Sequence, residues 1–342
     1  MENFSRYERQ WILKEIGFEG QKKLQVSSVV VVGLGALGSV SSQILARAGV
    51  GKLTLIDRDF LEINNLQRQV LYEEADVRDH LPKAIAAARK LGKINSEIVI
   101  EAHTSDVNAE TIEELLEGSD LIVDGTDNFE TRFLLNDYAL KKNIPWIYGG
   151  AVKTEGMAYV ILPGEGACLR CLYPQAPPPG QFQTCDQVGV LASAAHMIAS
   201  FQAAEAIKIL TGNQRQVSRK LWKMDLWNTR FEGLGVLSLA EDRCDGCRNK
   251  NFPYLTREAG MRTVTLCGRN AVQIYQSHTA EINFKELAAR LAGRAEVEYN
   301  DYVLNILPES YRITVFLDGR AIVKGTEDAG KAKSLYAKYV GS

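Results

Sequence analysis

Short apolar runs alternate with longer amphipathic stretches between residues 28 and 163, and the alternation predicts the architecture. The apolar runs at 29–32, 53–56, 98–101, 121–123 and 146–148 have the length and bounding residues of strands. Helical periodicity fills the intervals, for example at 39–48, 83–94 and 130–142. Strand–helix alternation of this kind predicts an α/β fold with a doubly wound, mostly parallel sheet. Runs at 154–162 and 220–225 read as further strands, antiparallel at one edge. Residues 174–184 hold three consecutive prolines and a glycine, which neither a helix nor an internal strand accepts, so a mobile crossover loop is expected over 174–190. A long helix should follow at 192–210 and stop at Gly212. The Pro-containing segment 249–255 reads as a boundary. Beyond it strands are expected at 263–266, 272–275, 296–307 and 313–323, the last folding back at Asp318-Gly319. With helices at 284–291 and 329–339, these predict a small C-terminal α+β domain at 256–342, beside a main domain at 1–255.

The first run, Val29-Val30-Val31-Val32, opens onto Gly33-Leu34-Gly35-Ala36-Leu37-Gly38, and the second ends in Asp57. A Gly-x-Gly-x-x-Gly match between a strand and a helix, with an acid about twenty residues on, is the context of a Rossmann-like nucleotide unit. Gly33 permits the tight turn, Gly35 lets backbone approach phosphate and Gly38 allows close helix–strand packing. Asp57 is placed to accept from ribose hydroxyls. The run Asn64-Asn65-Leu66-Gln67-Arg68-Gln69 then separates two readings. A nicotinamide enzyme has no evident need for an arginine flanked by amides just beyond the ribose acid; a triphosphate site does.

Composition narrows the classes further. The 342 residues suffice for two domains, and 46% hydrophobic with 24% charged content reads as globular. A net charge of -2 argues against bulk electrostatic binding of nucleic acid. No apolar run reaches the roughly 20 residues of a membrane span, and the first residues lack the apolar core of a signal peptide. A cytoplasmic location is the expectation. Four of the six cysteines form two pairs, Cys168-Leu169-Arg170-Cys171 and Cys244-Asp245-Gly246-Cys247, at zinc-ligand spacing. They read either as a closed structural site of four thiolates or as two unrelated reduced pairs. Cys185 follows the proline-rich loop and reads either as a small buried hydrophobe or as a sulfur-handling nucleophile. Cys267 has only a structural reading.

Arg6-Tyr7-Glu8-Arg9-Gln10, the glycine loop, Asp57, Asn65–Gln69, Pro82-Lys83 and Asp124-Gly125-Thr126-Asp127-Asn128 occur in order. Over about residues 5–250 the chain resembles the ThiF/MoeB/HesA adenylyltransferases, relatives of ubiquitin-activating enzymes. It departs from the family's usual glycines at Ala36 and in Asp79-His80-Leu81-Pro82-Lys83. The resemblance implies the following. ATP is used, with Arg68 and Lys83 on its phosphates, Asn64 and Asn65 assisting, Leu66 and Gln67 in the same wall, Asp127 on Mg2+ and Asn128 lining the pocket. Arg9 reaches the phosphates from the partner subunit of a homodimer. Zn2+ sits on Cys168, Cys171, Cys244 and Cys247, and Cys185 stands where some members keep a reactive cysteine. The substrate is a ubiquitin-like sulfur carrier protein ending in Gly-Gly, of ThiS or MoaD type, serving thiamine thiazole or molybdopterin synthesis. The sulfur donor is a separate protein, such as a cysteine desulfurase or a rhodanese. No nucleic acid and no membrane is involved. Two alternatives stand beside this reading: a non-catalytic nucleotide-bound scaffold for a ubiquitin-like partner, and an NAD-dependent oxidoreductase.

Overall fold

A computed structural model describes residues 4–175, 185–239, 244–256, 263–266, 270–274, 282–308 and 310–340. Residues 176–184 of the loop expected over 174–190, and Cys267, lie outside the described residues; the end of that loop is instead helical at Cys185–Val188. The chain divides into two compact units, residues 1–178 with 188–257, and residues 179–187 with 258–342.

The first unit is built on an eight-stranded sheet in the order β3-β2-β1-β4-β5-β6-β7-β8. Strands β1 (Ser28–Val32), β2 (Lys52–Ile56), β3 (Val99–His103), β4 (Leu121–Asp124) and β5 (Trp146–Val152) pair in parallel. Four of the five residues of β1 are buried. A central strand covered by helices on both faces has no solvent face, so it reads as an unbroken apolar run. The chain starts at β1, moves outward to β3, then returns to β4 on the other side of β1. That reversal leaves a crevice beyond the C-terminal ends of β1 and β4, where ligands of such folds bind. Strands β6 (Glu155–Ile161), β7 (Lys220–Asp225) and β8 (Arg230–Gly235) extend the sheet antiparallel.

Two features differ from the sequence reading. β5 continues to Val152, because Gly149-Gly150 conceals an extended segment that pairs with β6 throughout. β8 is an addition: its two glycines and exposed alternation give no apolar signal, and its pairing with β7 holds it. Segment 249–255, read as a boundary, lies at the end of the first unit, which runs to residue 257. Its 3-10 turn Pro253–Leu255 sets the Tyr254 ring 5.0 Å from that of Phe133, and the Tyr254 N–H donates to Asp137 at 3.2 Å. The helix Ala192–Thr211 ends at Gly212, whose φ of 87° is left-handed.

The second unit is a six-stranded antiparallel sheet, order β11-β12-β13-β14-β10-β9. Its strands are β9 (Thr263–Leu266), β10 (Ala271–Ile274), β11 (Glu296–Tyr299), β12 (Val303–Leu307), β13 (Arg312–Phe316) and β14 (Ala321–Lys324). Helices Phe284–Leu291 and Ala329–Tyr339 complete it. Alternate strand residues Val272, Ile274, Leu304, Ile306, Ile313, Val315 and Val323 form its core with Phe284, Leu287, Leu335 and Tyr336. The expected strand at 296–307 is two strands. Asn300 Oδ1 accepts from the N–H groups of Tyr302 and Val303 at 2.8 and 3.0 Å, an Asx turn that reverses the chain.

Candidate nucleotide site and four-cysteine cluster

The glycine loop sits at the end of β1 and opens the helix Gly38–Ala48. Gly33 has φ +85°, and a Cβ there would lie 2.7 Å from Gly125 backbone. A Cβ on Gly38 would lie 1.8 Å from the Gly33 carbonyl oxygen, and one on Gly125 would lie 2.3 Å from the same atom. These three glycines interlock the ends of β1 and β4. Gly35 is different. A Cβ there would meet only Gln69 Nε2, at 3.8 Å. Protein packing therefore does not require Gly35; an open cradle over a helix N-terminus does, because backbone N–H groups there attract anions. Gln69 Oε1 beside it is buried and takes no hydrogen bond from the described residues. Ala36 turns its methyl toward the cluster of Leu37, Val40 and Ile198.

Asp57 holds this loop. One carboxylate oxygen accepts from Leu34 N–H at 2.7 Å and the other from Asp59 N–H at 2.7 Å. Burial pushes its pKa up, and the Lys83 ammonium opposes the shift. Lys83 is buried at the start of the helix Lys83–Ile94, with Nζ 3.2 Å from Asp59 Oδ2. Tyr72 connects the two: its hydroxyl donates to the Leu34 carbonyl at 2.9 Å and lies 3.4 Å from the Lys83 carbonyl.

The run 64–69 forms the next wall. Asn65 is spent on local structure: its Oδ1 accepts from Glu62 N–H at 3.1 Å, and its Nδ2 donates to Asn64 Oδ1 at 2.9 Å. Arg68 is half-buried, and its Nη1 donates to the Asn64 carbonyl at 2.8 Å. His196, on the long helix, contacts the Arg68 carbonyl at 2.9 Å through Nε2. Leu66 is half-buried and Gln67 exposed.

At the end of β4, Asp124 is fully buried. It accepts from Thr126 N–H and Oγ1 at 2.9 and 2.6 Å and from Arg132 Nε at 3.1 Å. Arg132 Nη2 reaches the Thr126 and Gly149 carbonyls at 2.6 and 2.9 Å. Burial raises the Asp124 pKa against the opposing guanidinium. Gln202 Nε2 donates to the Asp124 carbonyl at 2.7 Å. This lattice fixes the loop that presents Asp127, which is exposed. Asn128 caps the helix Phe129–Lys142, its Oδ1 accepting from Thr131 N–H at 2.8 Å.

The structure thus gathers the glycine loop, Asp57, the 64–69 run, Lys83 and the 124–128 loop at one crevice. Arg9 is not among them. It is exposed on the short helix Glu8–Trp11, and its neighbour Gln10 donates to the Ala48 carbonyl at 2.8 Å. Ala48 ends the eleven-residue helix that starts at Gly38. That helix is about 16 Å long, so Gln10 meets it at the end away from the glycine loop. Cys185 starts the helix Cys185–Val188 and falls within the second unit. Tyr72, Arg132, His196 and Gln202 escaped the sequence reading. Only Arg132 had a signal, a cation in the first turn of the helix that follows an acid-ended apolar strand.

The four paired cysteines meet although 76 residues separate the pairs. Their sulfurs all lie within 4.8 Å of one another, and none is in a disulfide. The contacts Cys168–Cys171, Cys168–Cys244 and Cys171–Cys247 measure 3.8, 3.7 and 3.6 Å. Ligands 2.3 Å from a tetrahedral zinc ion would stand about 3.8 Å apart. The donor set therefore fits Zn2+. Among bare thiols the crowding is uneven: hydrogen bonds from Cys168 and Cys171 push the Cys247 thiol far down, while the Cys168 thiol is pushed up. A central cation would make all four thiolates.

A glycine cradle at a topological switch point, lined by cations and acids and tied by four cysteines, defines a nucleotide-binding α/β protein. The ThiF family model matches residues 7–246. A sulfur carrier protein ThiS adenylyltransferase of Bacillus subtilis (strain 168) is 42% identical over 337 residues, 98% of this chain and 99% of that one. A sulfur carrier protein adenylyltransferase of Thermus thermophilus is 39% identical over 251 residues, 72% of this chain and 91% of that one. The crystal structure of E. coli MccB with ATP superposes with a TM-score of 0.62 at 26% identity, covering 71% of this chain and 73% of that one. The chain belongs to the ThiF family, and it is an adenylyltransferase. Among the described residues no helix is long and apolar enough to cross a membrane.

Proposed function

We propose that the protein transfers AMP from Mg-ATP to the C-terminal Gly-Gly carboxylate of a ubiquitin-like sulfur carrier and releases pyrophosphate. The observation that carries this reading is the cradle at Gly35, open to a ligand while its neighbouring glycines are locked by protein. Near-full-length similarity to a ThiS adenylyltransferase supports a ThiS-type carrier, and hence sulfur supply to thiamine thiazole, over a MoaD-type carrier and molybdopterin. The alignment of 337 residues, 98% of this chain, spans both units.

A carboxylate is a poor electrophile at carbon. Its oxygen attacks the α-phosphorus, the bond from that phosphorus to the bridging oxygen breaks, and pyrophosphate leaves. Two anions must be brought into contact, so catalysis is positioning and charge stabilisation. Arg68 and Lys83 would hold the phosphates, Lys83 turning from Asp59. Asp57, with both oxygens already anchored to backbone, would offer its remaining lone pairs to the ribose. Asp127 would hold Mg2+, which offsets phosphate charge. The four cysteines would hold a structural Zn2+. Arg9, exposed on the helix Glu8–Trp11, would serve the site of a second subunit, making the enzyme a homodimer. Cys185 Sγ would displace AMP from the adenylate and hold the carrier as a thioester, from which sulfide-level sulfur delivered by a separate donor would displace the Cys185 thiolate to leave the thiocarboxylate. A protein substrate also accounts for β8, an edge strand with exposed Phe231 and Leu234, flanked by exposed Trp227, Leu237 and Leu239. The four paired cysteines, none in a disulfide, agree with a reducing cytoplasm.

The test is ATP–pyrophosphate exchange with ThiS-like and MoaD-like carriers. Exchange that depends on a Gly-Gly carrier, and is faster with ThiS-like proteins, is expected. Tight carrier binding with no exchange would leave a scaffold instead.

A further inference from the structure

The two cysteine pairs are distant in sequence, and one turn of one helix holds both. Asn136 and Asp137 lie in the helix Phe129–Lys142, both fully buried. Asn136 Oδ1 accepts from Leu169 N–H at 2.9 Å, inside the first pair. Asp137 Oδ2 accepts from Tyr254 N–H at 3.2 Å, in the segment that follows the second pair. Arg170, between the first two cysteines, approaches Asp137 Oδ1 at 3.6 Å and Asp245, between the second two, at 4.0 Å. It also donates to the Asn251 carbonyl at 2.7 Å. Removing charges from water for such an arrangement costs more than apolar packing would, so its geometry needs a use.

The same helix carries Arg132, one turn before Asn136, which grips Asp124, Thr126 and Gly149 beside the nucleotide crevice. We infer that Asn136, Asp137 and Arg170 form an outer-shell latch. The latch sets the four sulfurs in ligating geometry and couples metal occupancy, through this helix, to the order of the 124–128 loop. The inference rests on the four cysteines taking a metal. Without the ion, the two cysteine loops lose their common anchor, the Asp137 end of the helix is freer, and the Arg132 end follows.

The test uses the full chain loaded with Zn2+. Transfer of zinc to a chromophoric chelator should be about tenfold or more faster from Asp137→Asn than from wild type, the range seen for outer-shell partners of metal ligands. Arg170→Lys should show the same direction, and serves if Asp137→Asn does not fold. Lys141→Ala, exposed on the same helix, should release at the wild-type rate. Hydrogen exchange reads the coupling: on metal removal, the Thr126 and Gly149 amides should exchange several-fold faster, while the Val315 amide in the second unit is unchanged. Wild-type release from folded Asp137→Asn and Arg170→Lys would overturn the latch alone. Unaltered Thr126 and Gly149 exchange would overturn the coupling. A wild-type chain that takes up no zinc would overturn the metal reading and the latch with it.

Discussion

Arg68 and Lys83 carry the same charge but are prepared differently. Arg68 is half-buried and braced by a backbone carbonyl, whereas Lys83 is buried against Asp59. A planar fork suits a charge that must meet phosphate oxygens in fixed geometry. Arg68→Ala should therefore lower carrier-dependent exchange by about 100-fold, the scale of losing one transition-state donor, while calorimetry shows carrier affinity little changed. Equal losses in both would put Arg68 on the carrier surface instead. Tyr72 acts at the same scale through structure. Its hydroxyl joins the glycine loop to the Lys83 helix. Tyr72→Phe leaves the buried Leu34 carbonyl without that donor and should cost about 1 kcal/mol in urea unfolding.

At the scale of elements, the glycine loop contains two kinds of glycine that share one motif. Gly38 is locked by the Gly33 carbonyl, and Gly35 faces open space. Gly38→Ala should destabilise the fold by about 3 kcal/mol, since backbone must shift. Gly35→Ala should leave the denaturant midpoint within about 0.5 kcal/mol of wild type and weaken nucleotide binding. Titration with an ATP analogue beside chemical denaturation separates the two. A Gly35→Ala protein that binds nucleotide normally would remove the cradle from the site. Among helices, Phe129–Lys142 and Ala192–Thr211 do most of the positioning, the first through Arg132 and the second through His196 and Gln202.

At the scale of the whole molecule, the proposed service of Arg9 to its partner's site makes a subunit-mixing prediction. Arg9→Ala and Arg68→Ala proteins, each weak alone, should regain about a quarter of wild-type exchange when mixed, because random pairing makes half of the dimers mixed and each of those has one intact site. No regain would place Arg9 in its own subunit's site rather than its partner's. Both units also respond to alkali. Burial pushes Tyr148 and Tyr159 in the first unit and Tyr336 in the second from the ordinary 10.0 up to about 12. Between those values the folded chain keeps protons that the unfolded chain has lost, so stability falls as pH rises. The contribution is fully present below pH 10.0 and lost toward about 12. Urea midpoints stepped through that range, read with tyrosinate absorbance, should fall; a flat profile would contradict it.

The parallel strands and most helices were legible because each is decided locally. A strand buried on both faces must be apolar along its length, and a helix with one buried face must repeat every 3.6 residues. The glycine loop, the 64–69 run and the cysteine pairs were legible for a related reason: each needs particular residue types at short spacing. The exposed strand β8 and the extension of β5 through Gly149 were not, since pairing with a neighbour rather than residue type holds them. Tertiary structure alone decided that Asn65 serves its own turn, that Asp57 latches backbone and that Tyr72, Arg132, His196 and Gln202 brace the crevice. It alone joined cysteines 76 residues apart. Local sequence determines which residues a segment offers; only the packing of distant segments determines which atoms are already engaged and which face a ligand.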